Sequence, residues 1–189
     1  MALHWKLVID TQDAQELADF WAAALEYEVE DPSALIDRLL GAGHIGDDAV
    51  AEHRGRRIFR GYAGVRHPED PFDEISGTGH GRRLLFQDVP EGKTAKNRLH
   101  LDVHSGPGGL DELVARLESL GATRVREIDK GPAGHWWIML DPEGNEFCAA
   151  GLPSENSSTI QTRRRRNRPG GRWLPWPARS ARLSSSFRT

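Results

Sequence analysis

The sequence predicts an α+β fold in which one strand–helix–strand unit is used twice. Three observations predict it. The apolar stripe Leu17, Phe20, Trp21 and Ala24 superposes on Leu110, Leu113, Val114 and Leu117 after a shift of 93 residues, the separation of Leu17 from Leu110. A strand-like segment precedes each stripe. The run DPEGN (141–145) near the end of the patterned part reads as a tight turn closing a hairpin.

The first unit opens with HWKLVID (4–10), a strand, followed by DAQELADFWAAAL (13–25). In that helix Leu17, Phe20, Trp21, Ala24 and Leu25 recur at helical spacing and form one apolar stripe. Asp13 with Glu16 three residues on has the pattern of a capping box. YEVED (27–31) then gives a short strand. The next stretch holds a helix candidate, PSALIDRLLGAG (32–43), a charged strand candidate, RRIFRGYAGV (56–65), and a Pro/Gly-rich loop (67–81). RRLLFQDVP (82–90) is a strand stopped by Pro90. The second unit repeats the plan without that insertion. NRLHLDVHS (97–105) alternates with Leu99, Leu101 and Val103 on one face, LDELVARLESLG (110–121) is a helix ended by Gly121, and ATRVREID (122–129) is a strand. HWWIML (135–140) and EFCAA (146–150) flank the turn, in which Pro142 presets φ, Gly144 accepts positive φ, and Asp141 and Asn145 hydrogen-bond nearby backbone. Alternation puts Glu146 and Cys148 on one face and Phe147 and Ala149 on the other.

Charge divides the chain sharply. Nine of its 25 basic residues and none of its 28 acidic ones fall in residues 163–189, so residues 1–162 carry −12 and residues 163–189 +9. Residues 153–189 lack periodicity, are rich in Pro and Ser, contain the block RRRRNR, and read as a disordered Arg-rich tail. The tail lacks a folded nucleic-acid module, so specific nucleic-acid binding is not expected of it. The one cysteine, Cys148, excludes an intrachain disulfide and a multi-thiolate zinc site, and fits a reducing, cytoplasmic setting. No apolar run approaches the ~20 residues that span a bilayer, and no secretory leader pattern stands at the N-terminus.

The two βαβββ-like units, with the pieces LADFWAAAL, RRLLFQDVP, KNRLHLDV and WIMLDPEGNEFC, resemble the vicinal oxygen chelate superfamily in its glyoxalase-like branch. The resemblance implies one domain over residues 1–152, with modules at about 1–90 and 97–152, curved into an open, mixed barrel-like cavity with the helices outside. It implies a small-molecule ligand, pairing of two chains into a homodimer, and in metal-dependent members one divalent ion held by residues of the first, fourth, fifth and eighth strands. Here those registers fall at Lys6, Gln87, Arg98 and Cys148, while His4, His100 and Glu146 stand two residues away on the same strand faces. The resemblance therefore gives His100, Glu146 and His4 as candidate metal ligands. Gln87, Arg98, Asp102, Trp136 and Cys148 are candidate contacts to the ligand. Two readings stand side by side: a metal-dependent lyase, isomerase or dioxygenase, and a metal-free protein resembling bleomycin-resistance proteins, toward which the acidic body would draw a cationic drug.

Several side chains have two readings from the residues alone. HLDVH (100–104) offers imidazole, carboxylate and imidazole at alternate positions, as an acid–base or ligand set or as a solvated strand end. Lys93, Lys96 and Arg98 are anion clamps or a solvated linker. Trp136 and Trp137 point to opposite faces, one under a helix and one toward the cavity. Trp5 and Trp21 are expected in the core, and Cys148 is expected to be an inert thiol. Glu26 follows the first helix where the resembling branch has Gly, so that helix is expected to end without a left-handed cap.

Overall fold

The computed structural model describes residues 5–106 and 109–151. His4 and the Arg-rich tail over 153–189 lie outside the described residues. The chain builds two four-stranded sheets of identical winding. In the first, β1 (Leu7–Thr11) leads through helix α1 (Ala14–Leu25) to β2 (Glu28–Val29), and later to β5 (Tyr62–Arg66) and β6 (Arg83–Asp88), with spatial order β1-β6-β5-β2. In the second, β7 (Asp102–His104), helix α3 (Gly109–Ser119), β8 (Thr123–Asp129), β9 (His135–Leu140) and β10 (Glu146–Ala150) take the order β7-β10-β9-β8. Each first strand pairs in parallel with the last strand of its own module, and every other pairing is antiparallel. The internal duplication is therefore one of topology, and the two sheets do not close into a barrel.

The insertion in the first module comprises α2 (Ser33–Gly41), a single 3-10 turn, and the hairpin of β3 (Val50–His53) and β4 (Arg56–Phe59). The segment 56–65 is thus two strands, because Gly61 turns the chain at φ 76° between them. The hairpin is moored to α1 by Asp19, which accepts from His53 Nε2 at 2.7 Å and Arg54 Nε at 2.9 Å.

Each helix lays its stripe on its own sheet. Leu17, Phe20, Trp21 and Ala24 of α1, and Leu113, Val114 and Leu117 of α3, are all buried. They meet Phe86 and Val65 of the first sheet and Met139 and Phe147 of the second in one cluster. Burying such side chains contributes on the order of 1.5–3 kcal/mol each. Trp21 reaches across the modules, with its ring edge-on to Phe147 at 5.2 Å. Arg116 of α3 donates to the carbonyls of Ala23 and Ala24 at 2.7 and 2.9 Å, placing a cation on the negative end of α1.

Two expectations change. The strand expected over 97–105 is confined to Asp102–His104. The Asn97 amide donates to the Glu146 carboxylate at 3.0 Å instead of to a neighbouring strand, so residues 97–100 stand off the sheet, with Leu99 74% exposed, until the Leu101 carbonyl takes the Cys148 amide at 2.9 Å. Helix α1 does end in a left-handed cap, with Glu26 at φ 58° and ψ 37° and the Tyr27 amide bonded to the Ala22 carbonyl at 2.8 Å. That conformation costs a non-glycine residue about 1 kcal/mol, and the exposed Glu26 returns only a loose pairing with Arg116 at 3.8 Å. Replacing it, Glu26→Gly, is expected to raise stability by about 1 kcal/mol, read as a higher urea midpoint with an unchanged slope; a lower midpoint would contradict this account of the cap.

Candidate functional site

The open face of each sheet, the one turned away from its helix, is set by strand alternation. On the first sheet it carries Val8 and Asp10 of β1, Arg83, Leu85 and Gln87 of β6, and Tyr62, Gly64 and Arg66 of β5. Much of this face is already filled. The Glu30 carboxylate takes both Arg83 Nε and Nη2 at 2.6 Å and the Gly79 amide at 2.8 Å, with the Arg83 and Glu30 side chains only 10% and 7% exposed. A Cβ on Gly64 would stand 2.0 Å from that carboxylate, so glycine is what lets it cross the strand. Phe72 of the 67–81 loop stacks on the Arg66 guanidinium at 3.7 Å. Loop and ion pairs together cover this part of the first sheet.

What stays open is the seam between modules. A cleft of about 360 Å³ runs between β1 on one side and the 97–101 segment with the start of β10 on the other. Leu7, Val8, Ile9, Leu99, Leu101 and Phe147 give it an apolar wall, and Trp21 lies at its back. Asp10, Asn97, Arg98, His100, Asn145 and Glu146 are among its polar groups, with Asp141 beside Trp21. A second cavity of about 460 Å³, bounded by Gln12, Glu91 and Lys93, shares Asp10, Asn97 and Asn145 with the first. Asn97 Nδ2 donates to Asn145 Oδ1 at 3.2 Å at this shared boundary.

The β9–β10 turn builds the seam. Asp141 is buried and accepts from Trp21 Nε1 at 3.2 Å, from Asn145 N at 2.8 Å and Nδ2 at 3.0 Å, and from the Glu143 amide at 3.1 Å. Burial pushes its carboxyl above the usual carboxylate range despite those donors. Glu143 reaches over to the first module and accepts from the Gln12 and Asp13 amides at 3.0 Å and from the Thr11 hydroxyl. Asp13 caps α1 through the Gln15 and Glu16 amides, as the capping pattern predicts. The reciprocal arm expected of Glu16 is supplied by Glu143 and Thr11 instead.

The candidate residues distribute as follows. His100, Glu146 and Arg98 all line the cleft. Cys148 sits directly opposite Asp102 in the β7–β10 ladder, and His100 Nε2 lies 3.2 Å from Asp102 Oδ1. One donor atom from each of His100, Asp102 and Cys148 lies within 4.8 Å of the other two. Glu146 stands apart from that trio, its side chain 11% exposed and engaged by Lys93 Nζ and the Asn97 amide, each at 3.0 Å. Burial pushes its carboxyl up, but those two donors outweigh burial and the net shift is downward. Gln87 lies on the open face of the first sheet opposite Tyr62 and is not a lining residue of the cleft. Trp137 packs against the core, so Trp136 is the tryptophan of the open face; it pairs with Ala150, at the end of β10 away from Glu146, with Lys130 Nζ 5.6 Å from its ring centroid. Trp5 is 86% exposed rather than in the core, whereas Trp21 is buried.

Sequence reasoning missed Asp10, Asn97, Asn145 and Glu143. Alternation along β1 was signal enough for Asp10, which shares a face with Val8. Nothing in the local pattern says that Glu143, two residues into a turn, reaches residues 11–13.

Two predictions follow from these environments. Glu146 has a depressed carboxyl, so its stabilising contribution is complete above its ordinary value of 4.5 and is lost as pH falls through the lower folded value. The stability gap between wild type and Glu146→Gln is expected to be constant from neutrality to about pH 5 and to shrink below it; a gap independent of pH down to about pH 3 would contradict the pairing. The Cys148 thiol is pushed up to about 12, first by burial and then by the Asp102 carboxylate. Alkylation by iodoacetamide at mildly alkaline pH is expected to run on the order of a hundredfold slower than for an unperturbed thiol, and to accelerate in Asp102→Asn.

Comparison with known proteins adds a family. Residues 6–150 match the family described as glyoxalase-like domain. No curated protein matches significantly. Among solved structures, a glyoxalase/bleomycin resistance protein/dioxygenase family enzyme from Burkholderia phytofirmans is 14% identical, with 78% of this chain and 96% of that chain covered at a TM-score of 0.49. The fosfomycin resistance protein FosX from Mesorhizobium loti is 8% identical, with 79% and 91% covered and a TM-score of 0.48. FosX from Listeria monocytogenes, as a variant complexed with Mn(II) and a dihydroxypropylphosphonic acid, is 10% identical, with 79% and 90% covered and a TM-score of 0.48.

Proposed function

The chain belongs to the glyoxalase-like domain family, and on that premise we propose that its body, residues 1–152, binds a small amphipathic metabolite in the seam cleft. The observation that carries this reading is the lining of the cleft. An apolar wall with a few convergent polar groups, in a volume of about 360 Å³, has the make-up of a small-ligand site. The filled face of the first sheet supports the same reading, because its ion pairs and Phe72 already occupy a second place where a guest would lie. Ligand binding alone suits a sequestering protein of the bleomycin-resistance kind. No helix among the described residues is long and apolar enough to cross a membrane. The single cysteine fits the cytoplasm, and exposed Trp5 suits burial against a second copy in a homodimer.

A second reading, metal-dependent lyase, isomerase or dioxygenase chemistry, is favoured by the convergence of His100, Asp102 and Cys148. Imidazole, carboxylate and thiol together fit a borderline ion such as zinc better than a hard ion such as magnesium or manganese. Glu146 fits less well, since its carboxylate is taken by Lys93 and Asn97. A bound ion would polarise ligand oxygens as a Lewis acid; the chain's own cleft residues would orient the ligand beside it.

Thermal-shift screening of the full chain against a metabolite panel in the presence of chelator tests the first reading. A compound that raises the melting temperature of wild type but not of Val8→Asp, an exposed wall position, is the expected result; compounds that stabilise both equally would place binding elsewhere. Elemental analysis of protein purified without chelator separates the readings. About one metal per chain, lost in both His100→Ala and Cys148→Ala, supports the second reading, and metal retained in both contradicts it.

A further inference from the structure

We infer that the ligand of the seam cleft is dipolar, a molecule carrying one anionic and one cationic group on a short apolar body, such as an amino-carboxylic acid. The inference rests on the cleft being a ligand site and names the class of ligand it selects.

The charges around the seam divide into those already satisfied and those left over. Lys93 is committed to Glu146 at 3.0 Å, Glu143 to the amides of Gln12 and Asp13, Asp141 to Trp21 and Asn145, and His100 to Asp102 at 3.2 Å. Three charged side chains on the two cavities are not committed. Arg98 in the first cavity, Glu91 in the second, and Asp10 on the boundary of both make no side-chain hydrogen bond or ion pair with any described residue. The uncommitted cation lies on the 97–101 segment. The uncommitted anions lie on β1 and on the segment that follows β6. Asp10 lines the first cavity with Arg98 and the second with Glu91, yet no ion pair joins Arg98 to Asp10.

A guest that fills the space displaces water from these groups, and a charge stripped of water without a partner is costly. An anion alone would answer Arg98, whose guanidinium fork matches a carboxylate, and would leave Asp10 facing like charge. A cation alone would answer Asp10 and Glu91 and leave Arg98 unpaired. One molecule with both charges satisfies all three, its anion on Arg98, its ammonium on Asp10 and Glu91, and its chain along Val8 and Leu99. The Asn97–Asn145 pair stands between the two cavities and offers hydrogen bonds to the part that crosses from one to the other. The same arrangement rejects a simple cation, which the acidic body as a whole would otherwise attract.

The test is calorimetric titration of the full chain with a ladder of unbranched ω-aminoalkanoates of increasing length, each beside the alkanoate and the alkylammonium of equal length. Nile red reports independently on the apolar wall. At the best length the aminoalkanoate is expected to bind about tenfold or more tighter than either singly charged analogue. Asp10→Asn is expected to abolish the advantage of the aminoalkanoate over the alkanoate, and Arg98→Gln its advantage over the alkylammonium. Both positions are exposed, so both variants keep the fold. A singly charged analogue that binds as tightly overturns the inference, as does an aminoalkanoate indifferent to both substitutions. No binding by any member of the ladder, with Nile red still displaced from wild type by another compound and lost in Val8→Asp, overturns the dipolar ligand and leaves the cleft as a ligand site. Loss of that response as well would overturn both.

Discussion

The structure depends on one carboxylate crossing from the second module to the first. Glu143 stands in the β9–β10 turn and takes the amides of Gln12 and Asp13 and the hydroxyl of Thr11, where β1 passes into α1. The start of a helix leaves amides without partners and carries positive potential, so an anion there is held both by hydrogen bonds and by the dipole. The neighbouring Asp141 is held by the Trp21 indole in the same way from inside the core. Bonds to a charged acceptor contribute about 1.5–3 kcal/mol each, and these connect residues more than 100 positions apart in the chain.

This constraint determines where a ligand can go. With the turn pinned on α1, β1 and the start of β10 face each other across a gap that neither sheet's hydrogen bonds close. Glu146 then takes the Asn97 amide and keeps residues 97–100 off the sheet edge, leaving Arg98 and His100 along the gap. The 67–81 loop acts in the opposite sense, since its Phe72, with the ion pairs of Glu30, Arg83 and Arg66, covers a face of the first sheet. A symmetric sequence plan thus yields an asymmetric protein, with one covered face and one open seam.

The repeated apolar stripes made the two modules legible before any coordinates, because helical spacing and the shift from Leu17 to Leu110 are properties of the chain alone. The alternation of EFCAA likewise put Glu146 and Cys148 on the open face, where they stand. The site was less legible. His100 and Glu146 do reach one cleft, but Glu146 is paired with Lys93 and the donors that converge on His100 are Asp102 and Cys148. Alternation fixes which face a side chain takes and says nothing of which charge across the seam it will meet. The peeling of 97–100 was hidden for the same reason: its pattern is that of a strand, and the group that takes the Asn97 amide is a side chain 49 residues away. The left-handed Glu26 shows local cost overridden by packing, since the helix stripe and the β2 pairing fix both ends of that turn.

Amide hydrogen exchange at Gln12 and Asp13, in wild type and in Glu143→Ala, tests most directly whether this carboxylate holds the seam. The account predicts that both amides are protected in the wild type and exchange about tenfold or more faster in the variant, while the Phe86 amide inside the first sheet keeps its protection. Unchanged exchange at Gln12 and Asp13 would contradict it.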